Sequence, residues 1–329
     1  IAGAHGSAQA VEVDRTGHGA EGHALKALAQ PIPRRLHEAG VKIEYNLRAK
    51  ELALQNKQII GVYDYPGRLY PADAVIIATG GVTYPATGST GDGYALAAQA
   101  GHTIIPPKPS LVPLETVESW PSEVSGLALK NVEMTIRDQD KVLDKAFGEM
   151  LFTHFGLSGP IVLSLSKVVT AAAEMGRGLT ALIDLKPALS EEKLDERLLR
   201  NNQKFSRKHF INSLDELLPA SLIPVFVRLV GIDPHKPVNQ LTKEERREMV
   251  YMLKSLPLTI KGPRPISEAI VTSGGVQVKE INPKSMASNL ISGLYFSGEV
   301  IDIDGYTGGY NLQAAWSSGY VAGCGVLEE

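Results

Sequence analysis

A chain of 329 residues with 43% hydrophobic content can build a sizeable core and divide into two or more domains. A formal net charge of −3 offers nothing to a nucleic acid or an anionic membrane surface. The single cysteine, Cys324, excludes an internal disulfide and a redox Cys-x-x-Cys pair, so any redox chemistry belongs to a bound cofactor.

The chain opens at Ile1. His18 and His23 stand five residues apart with glycines between them, not at the i, i+4 spacing of a helical metal pair, and read as solvated loop histidines. Leu25, Leu28, Ile32 and Leu36 follow helical spacing up to Gly40, and Pro31 and Pro33 predict a kink or two short helices. Residues 41–45, 59–63 and 74–78 are β-branched runs bounded by turn residues and predict strands. The last is apolar throughout, as in a strand buried on both faces of a parallel sheet. It ends at Ala78, Thr79, Gly80 and Gly81, either a plain turn or a place where main chain passes beneath a ligand. Gly88–Gly93 lacks the lysine of a phosphate loop and reads as a turn plus a helix start, with Asp92 as N-cap and Gly101 as stop.

At residues 106–109 (PPKP) the character changes. Residues 110–187 alternate apolar and polar, with strands expected at 132–136, 161–165 and 179–185. Within them His154 stands between aromatic residues and glycine turns, either facing a substrate pocket or bonding main chain as a loop histidine. Residues 190–256 are charged and helical, with starts at Ser190 and Thr242, and residues 261–265 (KGPRP) read as a stiff linker. Short strands resume around Ser273, Gly274 and Gly275.

The last forty residues carry the most information. A buried strand ends in Gly298 and Glu299, and a loop holds Asp302, Asp304 and Gly305. Gly308, Gly309, Tyr310 and Asn311 then open a helix. Leu312, Ala315, Trp316, Gly319, Tyr320 and Gly323 follow helical spacing along one face. Two glycines at a helix start admit a ligand close to main chain, and the first N–H groups there carry partial positive charge. Such a place receives an anion or an electron-rich ring edge.

Four segments in order (IIATGGVTYPATGSTGDG, EMLFTHFGLSGP, EAIVTSGGV and GLYFSGEVIDIDGYTGGYNLQAAWSSGYVAG) resemble a family of bacterial FAD-dependent oxidoreductases, the NAD(P)/FAD-dependent, aminoacetone-oxidase-like flavoproteins. The resemblance covers roughly residues 34 to 329, by motif order. It implies an α/β fold, with a discontinuous Rossmann-like FAD-binding domain made of residues 1–107 and 263–329. An inserted β-rich substrate domain (108–188) and a helical subdomain (189–262) would lie between. It implies FAD as cofactor, NAD(P)H as a candidate electron donor and a small-molecule substrate, with neither nucleic acid nor membrane as partner. It also implies cofactor contacts at Ala78, Thr79, Gly80, Gly81, Gly274, Gly275, Gly298, Glu299, Asp302, Gly308, Gly309, Tyr310, Asn311 and Leu312.

One family feature is missing. Residues 17–22 (GHGAEG) have the Gly-x-Gly-x-x-Gly spacing but read as a loop with solvated histidines, so the strand, turn and helix start that hold the FAD pyrophosphate are not identified, and the sequence reads as a fragment or a variant. That absence favours an alternative, a flavin-binding protein without turnover, and argues against a nicotinamide-only dehydrogenase. No run approaches the ~18 apolar residues of a membrane span, and no signal peptide is visible, so the cytoplasm is the expected place.

Overall fold

The computed structural model describes residues 9–11 and 31–328. His18, His23 and the predicted helical residues before Pro31 lie outside them. The chain divides into two compact units: residues 1–109 with 266–329, and residues 110–265.

The discontinuous unit begins with β1 (Gln9–Val11), which pairs in parallel with β2 (Lys42–Glu44). Between them lies α1 (Pro31–Glu38). Pro31 and Pro33 fall in its first turn, where a missing N–H costs no helix bond, and the expected kink or preceding short helix lies outside the described residues. Strands β3 (Ala49–Gln55), β4 (Gln58–Asp64) and β5 (Leu69–Pro71) form an antiparallel sheet. Next come β6 (Val75–Ile77), α2 (Asp92–Gln99) and β7 (Ile104–Ser110).

Two expectations are corrected in this stretch. Ile77 is buried but Ile76 is 41% exposed, because successive strand side chains point to opposite faces and only one face of β6 is covered by the described residues. Asp92 is the first helical residue rather than the N-cap, which is Gly91 at φ 81°. The Asp92 carboxylate instead takes two hydrogen bonds from the Arg48 guanidinium, both 2.7 Å.

The inserted unit is built on a closed six-stranded barrel ordered β10-β11-β8-β13-β12-β9. Its strands are β8 (Leu114–Thr116), β9 (Ala128–Asp138), β10 (Lys141–Thr153), β11 (Gly156–Ser158), β12 (Leu179–Asp184) and β13 (Leu256–Pro263). Alternate residues fill the interior: Val132, Met134 and Ile136 from β9, Leu179, Ala181 and Ile183 from β12, and Leu256, Leu258 and Ile260 from β13. The predicted strand at 161–165 is the opening of a helix, α3 (Pro160–Glu174). Proline at N1 is preset for a helix start, and Ile161, Leu165, Val169 and Ala172 bury one helical stripe. The predicted linker at 261–265 is in part strand: Gly262 and Pro263 pair with Glu115 and Leu114.

Helices α4 (Glu191–Lys204), α5 (Ile223–Val230) and α6 (Lys243–Lys254) complete this unit. Ser190 caps α4 by accepting from the Lys193 N–H at 3.3 Å. Thr242 and Glu245 close a reciprocal capping box on α6.

The chain then returns to the first unit. β14 (Val271–Val276) pairs with β7, and β15 (Leu294–Phe296) pairs in parallel with β6. The last helix is α7 (Tyr310–Glu328). Leu52, Ile59, Ile77, Leu96, Leu294 and Phe296 lie in this unit's core. Among the described residues no helix is long and apolar enough to cross a membrane.

Candidate functional site

The parallel pair β6 and β15 delivers two loops beyond its carboxyl ends, where ligands of open α/β sheets bind. One loop runs from Gly298 to Gly309 and enters α7. Gly308 and Gly309 have φ of 114° and 90°, values that favour glycine. A Cβ placed on Gly309 would meet no atom of the described residues within 4 Å, so among them this main chain is open. The first main-chain bond within α7 runs from Gln313 N–H to Gly309 O, and the N–H groups of Tyr310, Asn311 and Leu312 have no acceptor within the helix. Tyr306, Tyr310 and Leu312 are all more than 60% exposed beside it, as is Trp316 one turn on. The predicted face of α7 therefore carries its large side chains, Leu312, Trp316 and Tyr320, outward.

Asn311 takes another part. Its Oδ1 accepts the Gly305 N–H at 2.7 Å and its Nδ2 donates to the Gly305 carbonyl at 3.1 Å, pinning the loop to the helix start. Glu299 and Asp302 are likewise engaged with main chain. Glu299 Oε1 accepts the Thr272 N–H at 2.6 Å and the Thr83 hydroxyl at 3.5 Å. Asp302 Oδ1 accepts the Gly274 N–H at 3.1 Å. Both carboxylates tie the loop after β15 to β14.

The second loop holds Ala78, Thr79, Gly80 and Gly81 just past β6. Ala78 is exposed. The buried Thr79 hydroxyl packs where a Cβ on Gly93 would stand, 2.1 Å away, so it closes the strand onto α2. A Cβ on Gly81 would lie 2.1 Å from Thr272 Oγ1 and 2.7 Å from Glu299 Oε1. Gly274 and Gly275 meet the carbonyls of Pro106 and Val300 in the same way, at 2.5 and 2.6 Å. Gly298 donates its N–H to Ser318 Oγ at 3.0 Å.

Apart from Ala78, Thr79, Gly80 and Gly298, the predicted residues separate into two groups. Gly81, Gly274, Gly275, Glu299, Asp302 and Asn311 hold the frame through the chain's own atoms. Gly308, Gly309, Tyr310 and Leu312 present an open face. That open face fits the edge of a flavin ring: close main chain, first-turn N–H donors and exposed aromatics stand together. Thr83 and Thr272, which the sequence reading passed over, are the hydrogen-bonding partners of Glu299 and of the Val82 N–H. Burial, then the nearby Glu299 carboxylate, pushes the Tyr94 phenol up to about 12.

A second cluster was not visible in the sequence. The buried His102 places Nε2 2.7 Å from Ser288 Oγ and Nδ1 3.2 Å from Glu280 Oε2. The distances are those of a nucleophile, base and acid. However, Ser288 Oγ already accepts the N–H groups of Leu290 and Ile291, at 3.0 and 2.9 Å. Its lone pairs are occupied, and the arrangement fastens the turn at 288–291 to the start of β7. Burial lowers the His102 pKa below 6.5, against the opposing pull of Glu280.

In the inserted unit, His154 is exposed at the end of β10, its ring edge-on to Phe155 at 4.9 Å. It borders a cleft of about 330 Å³ that also includes Glu115, Glu118, Ser119 and Lys261. Glu115 pairs with Lys261 at 2.9 Å and Arg264 at 2.5 Å, and these partners hold its carboxyl below the usual range. His154 thus stands beside neutralised charges in a polar cleft. Among the described residues no group of acidic, histidine or cysteine side chains could hold a metal.

Parallel strands with glycine turns at their carboxyl ends and a helix starting beyond them define a Rossmann-type domain. The chain belongs to the HI0933-like protein Rossmann domain family, which matches residues 21–325. It is 31% identical over 293 residues to the 3-dehydro-bile acid delta(4,6)-reductase of Clostridium scindens, covering 89% of this chain and 71% of that one. It is 34% identical to the ribosomal RNA dihydrouridine synthase of Haemophilus influenzae, covering 78% of this chain and 60% of that one. The corresponding synthase of Escherichia coli is 30% identical, over 84% of this chain and 66% of that one. The chain therefore spans roughly two thirds of the length of these relatives.

Proposed function

We propose that this protein is a flavin-dependent oxidoreductase in which FAD lies against the start of α7, with Gly308 and Gly309 beneath it. The observation that carries the reading is that, among the described residues, the space in front of Gly309 is open, at a helix start flanked by exposed Tyr306 and Tyr310. The first-turn N–H groups would stabilise negative charge on the ring edge. Asn311 would hold the loop in register, and Glu299 and Asp302 would fix the strand ends that carry it. When bound, the flavin would supply a two-electron carrier that the side chains themselves lack.

The relatives' names support a reaction class. A delta(4,6)-reductase acts on ring double bonds, and dihydrouridine is uridine with one ring double bond saturated. We read the reaction as reduction of a carbon–carbon double bond in an unsaturated ring, in a small-molecule substrate, with NAD(P)H as electron donor in the cytoplasm. Saturating such a bond also needs a proton, and His154 is the proposed donor.

The test is to add FAD to the purified protein and follow its visible absorbance. A flavin spectrum that bleaches with NAD(P)H and recovers on addition of a ring-unsaturated ketone supports the enzyme. A protein that holds flavin but turns over no such compound is a flavin binder only. One that takes up no FAD overturns the reading.

A further inference from the structure

The inserted unit holds a cavity of about 140 Å³, built where β9, the end of β12 and the segment leading into α5 meet. Leu129 and Val132 come from β9, Leu185 follows β12, and Leu218 and Leu222 precede α5. All five are at most 7% exposed. Two lysines, Lys130 and Lys186, also line the cavity, and among the described residues no acidic side chain does.

Lys186 is half-buried, and its main chain is fixed at both polar groups. Its N–H donates to Asp184 Oδ1 at 2.8 Å, and its carbonyl accepts from Lys254 Nζ at 3.1 Å. The Asp184 carboxylate is also paired with Lys254, at 2.5 Å. The Lys186 ammonium has no ion pair or hydrogen bond among the described residues. Burial, then the positive charge of Arg197, holds its pKa below the ordinary lysine value. Other acids along these segments are engaged or turned to solvent. Glu216 pairs with Lys204 at 2.6 Å, Glu149 with Lys130 at 3.8 Å, and Asp215 is exposed. A half-buried ammonium on an apolar cavity without a counter-ion carries a desolvation cost that an arriving anion would offset.

We propose that this cavity binds a small monocarboxylate with an apolar body, its carboxylate on Lys186 and its body among the leucines. An apolar cavity of about 150 Å³ accepts a benzene ring, and this sets the size of the body. Burial of that body supplies affinity, while the ammonium orients the ligand and selects its charge. A phosphate ester brings a second charge and a third oxygen, with only two ammonium groups to meet them, so a carboxylate is the better match. A steroid body is far larger than the cavity, which separates this site from any that takes a bile acid. The proposal stands apart from the flavin reading, since it uses residues of the inserted unit alone.

The experiment is isothermal titration calorimetry of the native protein, with FAD added, against benzoate, acetate and benzyl alcohol. Benzoate carries both head and body, acetate the head alone and benzyl alcohol the body alone. Benzoate should bind at least about tenfold more tightly than either. Lys186→Met keeps an unbranched stem without the charge. It should weaken benzoate at least about tenfold, the worth of one charge-assisted hydrogen bond, and leave benzyl alcohol unchanged. Lys186→Arg restores a cation and should recover much of the benzoate affinity. Circular dichroism checks both folds, and visible absorbance reads flavin retention independently. A native protein that takes up no benzoate overturns the proposal. So does equal benzoate binding by native protein and Lys186→Met, which would place the carboxylate elsewhere, or equal binding of benzoate and benzyl alcohol by the native protein.

Discussion

Asn311 grips Gly305 at both of its main-chain polar groups, accepting the N–H at 2.7 Å and donating to the carbonyl at 3.1 Å. This closes the loop between them, so that Gly308 and Gly309 are held at the start of α7 rather than left to a flexible turn. A residue expected to touch cofactor is here a positioning residue for the two glycines that would.

Asn311→Ala should therefore weaken FAD binding by about tenfold or more, through loss of two hydrogen bonds worth roughly 1 kcal/mol each. Asn311→Asp keeps the acceptor for the Gly305 N–H and should lie between. FAD titrations on the three proteins check this. Equal affinity in native protein and Asn311→Ala would show that the loop is held by something else.

Gly81→Ala should destabilise the discontinuous unit by about 1–3 kcal/mol, the usual cost of overpacking. The added Cβ would fall 2.1 Å from Thr272 Oγ1. Removing that oxygen as well should relieve part of the cost. Denaturant unfolding of Gly81→Ala, Thr272→Ala and the double variant should thus give a coupling of about 1 kcal/mol. Strict additivity would mean that the two residues do not compete for space.

Much of this frame was legible in the sequence. The Gly-Gly entry to α7, the strand ending in Gly298–Glu299 and the capped helices at Ser190 and Thr242 announce themselves through local chemistry. Where the reading failed, tertiary context decided. The run at 161–165 is as apolar as a strand, and only its continuation through Val169 and Ala172 shows the helical stripe. Asp92 looked like a cap because nothing local reveals Arg48, 44 positions away. Glycines 81, 274 and 275 carry no sequence signal for their packing role, since a Cβ on each would meet carbonyls and side chains far along the chain. The His102, Ser288 and Glu280 cluster had no sequence signal, since its members meet only in the fold.

The buried His102 gives a pH dependence whose sign is fixed by its environment. Burial holds its folded-state pKa below the ordinary histidine value of 6.5, so the neutral ring is favoured in the folded protein. The stability it contributes is full above 6.5 and falls as pH drops toward the folded value, because the unfolded chain takes up the proton first. Thermal unfolding at a series of pH values should show a midpoint that falls below pH 6.5, with a shallower fall in His102→Gln. Identical profiles would remove His102 as the cause.

His154→Ala should lower turnover of a ring-unsaturated substrate by about 10²–10⁴-fold with flavin still bound, the range for a general acid. The pH profile of kcat should also lose one limb. Unchanged turnover would leave His154 as a surface histidine of its cleft.

The most direct measurement is an FAD titration of Gly309→Val beside the native protein. The Gly309 backbone lies at φ 90°, and among the described residues open space stands where the valine side chain would project. The account predicts that the native protein takes up FAD, while the variant keeps its circular dichroism and loses flavin absorbance after desalting. A variant that folds and holds FAD as tightly as the native protein would contradict the placement of the flavin at the start of α7.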